Sequence, residues 1–228
     1  MGVESWPFPN RASPRYAGPS LSEFHSSMIA IRAARPDDAA AIAAIYAPHV
    51  LAGVVSFETQ APDADTMRLR MEGADGLYPW IVATLRSQDG ADGEAQEEAV
   101  IGYAYAARFR EREAYRWVVE TTIYVADVSQ RSGIGRLLYE ALVDTLTAQG
   151  FTQAMGVIAL PNDGSIKLHE AVGFRRAGVF REVGHKHGRW IDVGYWQREL
   201  AEPKPHPAEP KRFADVGVVR DPVAGKHR

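Results

Sequence analysis

Four features of this chain have the residue types and spacing to do chemistry. Glu120 interrupts a run of β-branched and aromatic residues, Val118, Val119, Thr121, Thr122, Ile123, Tyr124 and Val125, which reads as a buried strand. A carboxylate in such a run is costly to desolvate, so it is either held in an ion pair or kept for proton transfer. Next, Gln130-Arg131-Ser132-Gly133-Ile134-Gly135 leads from that strand into a helix. Strand, glycine loop and helix together make a phosphate-binding arrangement. The first-turn N–H groups and the positive end of the helix dipole point at the loop, and glycines let a pyrophosphate approach the backbone. The third feature is His169, on a later helix, whose imidazole titrates near neutral pH but could equally be a packed or solvated side chain. Asn162, the fourth, stands at the start of that helix and can cap it or offer its amide to a ligand.

Two widespread phosphate loops do not fit. A P-loop ends in Gly-Lys-Ser/Thr, whereas Gly135 is followed by Arg136 and Leu137. A dinucleotide fingerprint needs a third Gly or Ala, and that position is Leu138. The elements that must position these residues follow from periodicity. Leu138, Ala141, Leu142 and Thr145 give the loop's helix one apolar face, and Gly150 is its stop. Upstream, Ile29–Arg32 reads as a strand. Asp37 or Asp38 caps a helix carrying Ile42, Ile45, Tyr46 and Val50, Val54–Glu58 is extended, and Thr66–Glu72 is a second helix. Strands are predicted over Tyr78–Leu85, Val100–Phe109, Ala154–Leu160, Phe174–Arg181 and Trp190–Leu200, and a helix from Asn162 or Asp163 to Gly173. Strands alternating with helices, followed by a hairpin, predict an α/β fold with a mixed sheet.

Composition sets the outer limits. The chain has 228 residues, 46% of them hydrophobic, with a formal net charge of −3. That is enough for one domain with a full core, and there is no basic excess for nucleic acid. The absence of cysteine excludes disulfides, thiolate metal sites and a Cys nucleophile, so any group transfer is direct. No apolar run is long enough to cross a membrane, which makes the cytoplasm the expected location. Residues 1–28 are read as a proline- and serine-rich disordered leader, with Met28 as a candidate true start, and 201–228 as a disordered proline-rich tail. The domain is then 29–200. Between two strands, 87–99 carries five acids and two glycines and is read as a solvated loop. His185 and His187 share a face, but no third ligand is evident and no metal is expected.

One further reading comes from resemblance. Glu120-Thr121-Thr122-Ile123-Tyr124-Val125, the loop Gln130–Gly135, Leu160-Pro161-Asn162-Asp163, Leu168-His169-Glu170-Ala171-Val172-Gly173-Phe174 and the run Lys186–Gln197 occur in that order. The series resembles the GCN5-related N-acetyltransferases (GNAT), in particular the phosphinothricin and methionine sulfoximine N-acetyltransferases, over roughly Ile29 to Leu200. The resemblance implies the GNAT fold: a mostly antiparallel central sheet flanked by helices, with central strands splayed by a bulge on the Glu120 strand. It implies acetyl-CoA as co-substrate, a small amino-acid-like amine as acceptor, and a homodimer. By the same resemblance Glu120 is the base and His169 stands where many relatives have a Tyr acid. Ile123, Tyr124 and Val125, the loop residues Arg131, Ser132, Gly133, Ile134, Gly135 and Arg136, and Asn162 hold the cofactor. Phe57 lines the acceptor pocket, and Arg110, Arg112 and Lys186 are the cations available for acidic groups, with surface charge as the alternative for each. Phe109 stands where the family often has Trp. A protein N-terminal acetyltransferase and a non-catalytic CoA-binding sensor remain as alternative functions.

Overall fold

The computed structural model describes residues 27–73, 76–87, 98–130 and 132–219. Seven strands form one sheet in the order β1-β2-β3-β4-β5-β7-β6. They are β1 (Ser27–Ala33), β2 (Trp80–Ser87), β3 (Glu98–Arg108), β4 (Val118–Val125), β5 (Gln153–Leu160), β6 (Arg175–Lys186) and β7 (Arg189–Glu199). Every neighbouring pair is antiparallel except β4 and β5. That parallel pair needs a crossover, and helix α3 (Ile134–Gln149) supplies it. On one face α3 and α4 (Asp163–Ala171) bury Leu138, Leu142, Leu146, Phe151 and Phe174. On the other, α1 (Ala39–Leu51) and α2 (Ala64–Glu72) bury Ile42, Ile45, Tyr46 and Met67 against Val82 and Tyr103. Among the described residues no helix is long and apolar enough to cross a membrane.

The feature that matters for function is where β4 and β5 part. They pair only from Val118–Gln153 to Thr121–Gly156, although β4 runs on to Val125 and β5 to Leu160. Beyond Thr121 the two strands leave a wedge with unpaired edges. The expected bulge on β4 is not the cause. The β3–β4 register is unbroken, and the bulge lies between β2 and β3, at Ala83/Thr84. The parting instead begins at Gly156, where the imidazole of His169 fills the space a Cβ would need.

Three other expectations are corrected. Val54–Glu58 forms no strand. Residues 201–219 are ordered: Trp117 Nε1 donates to Ala208 O at 2.8 Å, Lys211 N to Gln149 O at 2.7 Å and Phe213 N to Gly76 O at 2.8 Å, and Phe213–Val216 forms the short α5. Proline content there signals an extended strap rather than a free tail, because backbone groups of the segment bond to the body at several points. Glu98, read as part of the acidic loop, begins β3 and accepts hydrogen bonds from Thr84 Oγ1 at 2.7 Å and Arg32 Nε at 3.2 Å. The leader up to residue 26, the rest of the acidic run (88–97), Arg131 and the last residues from 220 lie outside the described residues.

Candidate active site

A cleft of about 990 Å³ occupies the wedge. Phe57, Glu120, Ile123, Tyr124, Val125, Gly133, Gly135, Arg136, Asn162 and His169 all line it, so ten of the residues expected at the site converge there. Ile134 is instead a core anchor with no exposed surface, and Ser132 donates its hydroxyl to Ser129 O, shaping the loop from behind.

At the α3 end, Gly133 has φ of +83° and no side chain caps the helix. The left-handed backbone explains the glycine, and the free first-turn N–H groups make an anion site. A Cβ on Gly133 would meet nothing within 4 Å, and one on Gly135 would meet Leu168 at 3.4 Å and Val125 at 3.6 Å. The cradle is therefore open above Gly133 and walled by Leu168 and Val125 at Gly135, which fits a pyrophosphate laid along the loop. Arg136 lines it and pairs with Glu140 at 2.8 Å.

In the wedge, backbone direction decides which β4 groups are available. Ala126 N donates to Ile101 O at 2.9 Å, so alternation turns the N–H groups of Tyr124 and Thr122 towards β3 as well. Those of Ile123 and Val125 then face the side that β5 has vacated. Tyr124 contributes its ring to the cleft wall rather than its N–H, a refinement of the sequence reading.

Glu120 projects from the α1/α2 face of β4, opposite Ala107 on β3 and one pair along from Tyr105 on the same face. Burial raises its pKa, and the only opposing charge that registers is that of Arg110. Among the described residues no hydrogen bond or ion pair ties it down. His169 is buried, with its ring edge-on to Tyr139 and Phe174. Its Nδ1 donates to Ser165 O at 2.8 Å, leaving Nε2 facing Gly156, and burial lowers its pKa. The neutral ring so fixed has an acceptor, not a donor, on its free nitrogen. Asn162 does cap α4, accepting from Ser165 N at 3.1 Å, and its amide nitrogen remains for the cleft.

The three expected cations do not reach the cleft. Lys186 is buried and donates to Val50 O at 2.6 Å and Ser56 O at 2.7 Å. It ties the chain after α1 to β6, and so acts as a brace for the wall carrying Ser56, Phe57 and Glu58, not as an acceptor's counter-ion. Arg110 and Arg112 line a separate cavity of about 360 Å³ beside the β3–β4 connection. Arg110 lies 4.2 Å over the Phe109 ring, though its charge is felt at Glu120.

Sequence reasoning missed Tyr46, His49, Glu58 and Tyr105, which also line the cleft. Tyr46 was legible only as a core position of α1. Its hydroxyl in fact meets Ser56 Oγ at 2.7 Å and Glu58 Oε1 at 2.9 Å. His49 packs 5.0 Å from the Tyr124 ring, and burial lowers its pKa against the influence of Asp127. No metal-ligand cluster of three or more His, Cys, Asp or Glu occurs among the described residues.

Comparison with known proteins agrees with this geometry. Residues 31–194 match the acetyltransferase (GNAT) domain family. The chain is 39% identical over 177 residues to a phosphinothricin N-acetyltransferase of Streptomyces viridochromogenes, covering 78% of this chain and 91% of the relative. It is 31% identical over 173 residues to an L-methionine sulfoximine/L-methionine sulfone acetyltransferase of Salmonella typhimurium, covering 75% and 95%. Among solved structures, a GNAT superfamily phosphinothricin acetyltransferase from Sinorhizobium meliloti in complex with acetyl-CoA superposes with a TM-score of 0.71 at 40% identity, covering 80% of this chain and 94% of that one. An α/β sheet opened between two parallel strands, with a glycine cradle at its mouth, thus has its explanation: the chain belongs to the GNAT family of acetyl-CoA-dependent N-acetyltransferases.

Proposed function

We propose that this enzyme acetylates the α-amine of a small amino-acid-like acceptor of the phosphinothricin or methionine sulfoximine type, with Glu120 as base. The observation that carries the reading is a half-buried carboxylate, without an ion-pair or hydrogen-bond partner among the described residues, on the wall of a wedge whose mouth is an uncapped helix N-terminus. Acetyl-CoA supplies the acetyl group as a thioester, which an uncharged amine displaces from sulfur. The acceptor arrives mostly as an ammonium, because an α-amine has a pKa near ~8. Glu120 takes its proton, directly or through one water, and desolvation makes the carboxylate a better base for that task. The N–H groups of Ile123 and Val125 stand where they can donate to the carbonyl oxygen as it gains charge. The loop from Gly133 to Arg136 holds the pyrophosphate, and the Asn162 amide faces the pantetheine arm. His169, neutral and presenting a lone pair, serves as a proton acceptor or relay; it can protonate the leaving thiolate only after first gaining a proton itself. Arg110, which lines the neighbouring cavity, acts on Glu120 through its charge.

The protein is also proposed to work as a homodimer in the cytoplasm. Phe180, Val183 and Trp190 on the β6–β7 hairpin, with Leu51, Val55 and Phe57 beside it, expose large apolar side chains, Trp190 to 62%. A second copy would cover them. Sedimentation at micromolar concentration should give a dimer, and a monomer contradicts it. The reaction itself is tested by measuring released CoA thiol with methionine sulfoximine, phosphinothricin and a short peptide bearing a free N-terminus. Turnover of the small acceptors but not the peptide is expected. Faster peptide turnover would favour a protein N-terminal acetyltransferase, and acetyl-CoA binding without any turnover would favour a sensor. Gly135→Val should weaken acetyl-CoA in calorimetry while leaving the fold intact, since its branches crowd Leu168 and Val125 at the cradle.

A further inference from the structure

Glu120 is not the only carboxylate in the cleft. Glu58 lines the same cavity, on the wall that Lys186 braces, and it is tuned the opposite way. Arg70 grips it with both ends of the guanidinium, NH1 to Oε1 and NH2 to Oε2, each at 2.8 Å, and Tyr46 donates to Oε1 at 2.9 Å. Arg70, burial working against it, and Tyr46 together keep this carboxylate below its ordinary pKa. Glu58 is therefore charged whenever the enzyme works. A carboxylate has about four acceptor positions, and three here are taken, so Oε2 keeps one open. Tyr105 lines the same cleft and feels the charge of both Glu58 and Glu120. With an amine docked at Glu120, the other end of a small acceptor extends past Tyr105 towards Phe57 and Glu58. Arg70 does not line the cleft, so the face presented to the acceptor is the carboxylate.

We infer that Glu58 is a specificity-determining residue, whose open acceptor position favours acceptors ending in a neutral, hydrogen-bond-donating group and disfavours those ending in an anion. This rests on the acetyl-transfer reading above and deepens it. Of the acceptor chemistries that the relatives' names carry, a sulfoximine is neutral and bears an N–H, a sulfone is neutral without one, and a phosphinate is anionic at neutral pH. The sulfoximine can donate to Glu58 Oε2. A phosphinate placed there meets a like charge and leaves Oε2 unpaired, so discrimination comes from a repulsive element as much as from an attractive one.

The test is a comparison of kcat/KM for methionine sulfoximine and phosphinothricin, in the wild type and in Glu58→Gln. Gln keeps the size and an acceptor oxygen but removes the charge. The wild type should prefer the sulfoximine by roughly tenfold or more, and the variant should shrink that preference by about the same factor, mainly by improving phosphinothricin. A wild-type preference for phosphinothricin overturns the inference, and so does a sulfoximine preference that Glu58→Gln leaves intact. Should the variant fail to fold, the wild-type ratio alone decides, with a ratio at or below one refuting the role of Glu58. If the wild type turns over neither acceptor, the acetyl-transfer reading itself falls, an outcome distinct from turnover of both without discrimination.

Discussion

Glu98 and Glu120 sit on adjacent strands of one sheet, each beside apolar neighbours, and the protein treats them in opposite ways. Glu98 opens β3 among Thr84, Arg32, Arg86 and Arg35, whose nearest atoms lie 2.7, 3.2, 3.4 and 3.8 Å from its oxygens. Burial alone would raise its pKa, but Thr84 and the arginines bring it down to about 2. Glu120 has burial without that company, and its pKa is raised. The same residue type is therefore an ionic rivet in one place and, in the reading proposed above, a base in the other, and Glu98's partners help set the two apart. A carboxylate already satisfied by three cations has no appetite for a proton, while one stripped of partners holds a proton readily and pays for it in stability.

The largest effect that sharpens this contrast is on catalysis. Glu120→Gln should lower kcat by ~10²–10⁴-fold at neutral pH with acetyl-CoA affinity nearly unchanged, because the cradle at Gly133–Arg136 is a separate structure. Raising the pH supplies free amine from solution, so the variant should recover relatively more activity than the wild type. Parallel curves of kcat against pH would rule out Glu120 and move the role to His169. The same substitution should leave thermal stability equal or higher, since a costly desolvated charge has been removed. Loss of stability together with loss of activity would make Glu120 a second rivet.

Glu98→Gln should do the reverse. Its three arginines would lose their counter-charge and the four partners would become partly unsatisfied, at a cost of about 1–3 kcal/mol. For a domain of this size that is several degrees in Tm, at roughly 2–4 °C per kcal/mol. The kcat should not change. A normal Tm would mean the arginines find water as good a partner.

The comparison also fixes a pH signature. Glu98 has a depressed folded-state pKa, so its stabilisation is complete above the ordinary value of 4.5 and fades as pH falls through about 2. Glu120 works in the other direction: its raised pKa adds nothing below the ordinary value and costs stability at higher pH, once the carboxylate ionises. Denaturant melts of the wild type should therefore lose stability between pH 4.5 and 2, with a shallower slope in Glu98→Gln and an unchanged one in Glu120→Gln. A slope unaffected by Glu98→Gln would assign acid sensitivity to other carboxylates, Glu58 with its Arg70 clamp being next.

The sequence made these two glutamates unequally legible. Glu120 stood out because its neighbours declared a strand, and one charge in an apolar run invites the question of what it does. Glu98 was hidden at the end of an acidic run, where composition says solvent; its partners Arg32 and Thr84 are 66 and 14 residues away, and no periodicity links them. The same separation hid the Lys186 brace, whose acceptors Val50 and Ser56 are 136 and 130 residues distant. Local signals did survive. The glycine loop, the Gly150 stop with its φ of +96° and the Asn162 cap are properties of a few consecutive residues, and the structure has them where they were expected. Backbone direction at Ile123 and Val125 leaves no mark on residue type, and only strand pairing reveals it.

The smallest expected effect probes the one charge that touches Glu120. Arg110 lowers that carboxylate's pKa, in opposition to burial, from an exposed position stacked on Phe109. Arg110→Gln should therefore raise the Glu120 pKa further and move the acidic limb of the kcat profile to higher pH. An exposed charge is worth roughly 0.2–1 kcal/mol, so rates on that limb should fall by about 1.4- to 5-fold, with the plateau unaltered. Salt is the internal control. Raising ionic strength screens Arg110 in the wild type and should push its limb the same way, while Arg110→Gln should respond less. Any contact of Arg110 with the acceptor's carboxylate would show separately, as a higher KM for the acceptor at all pH values. A limb that stays in place in the variant, with KM alone rising, would mean that Arg110 binds the acceptor without tuning the base. An unchanged limb and an unchanged KM would leave burial as the only force on Glu120, and the contrast with Glu98 would then be complete: one carboxylate set entirely by its partners, the other entirely by their lack.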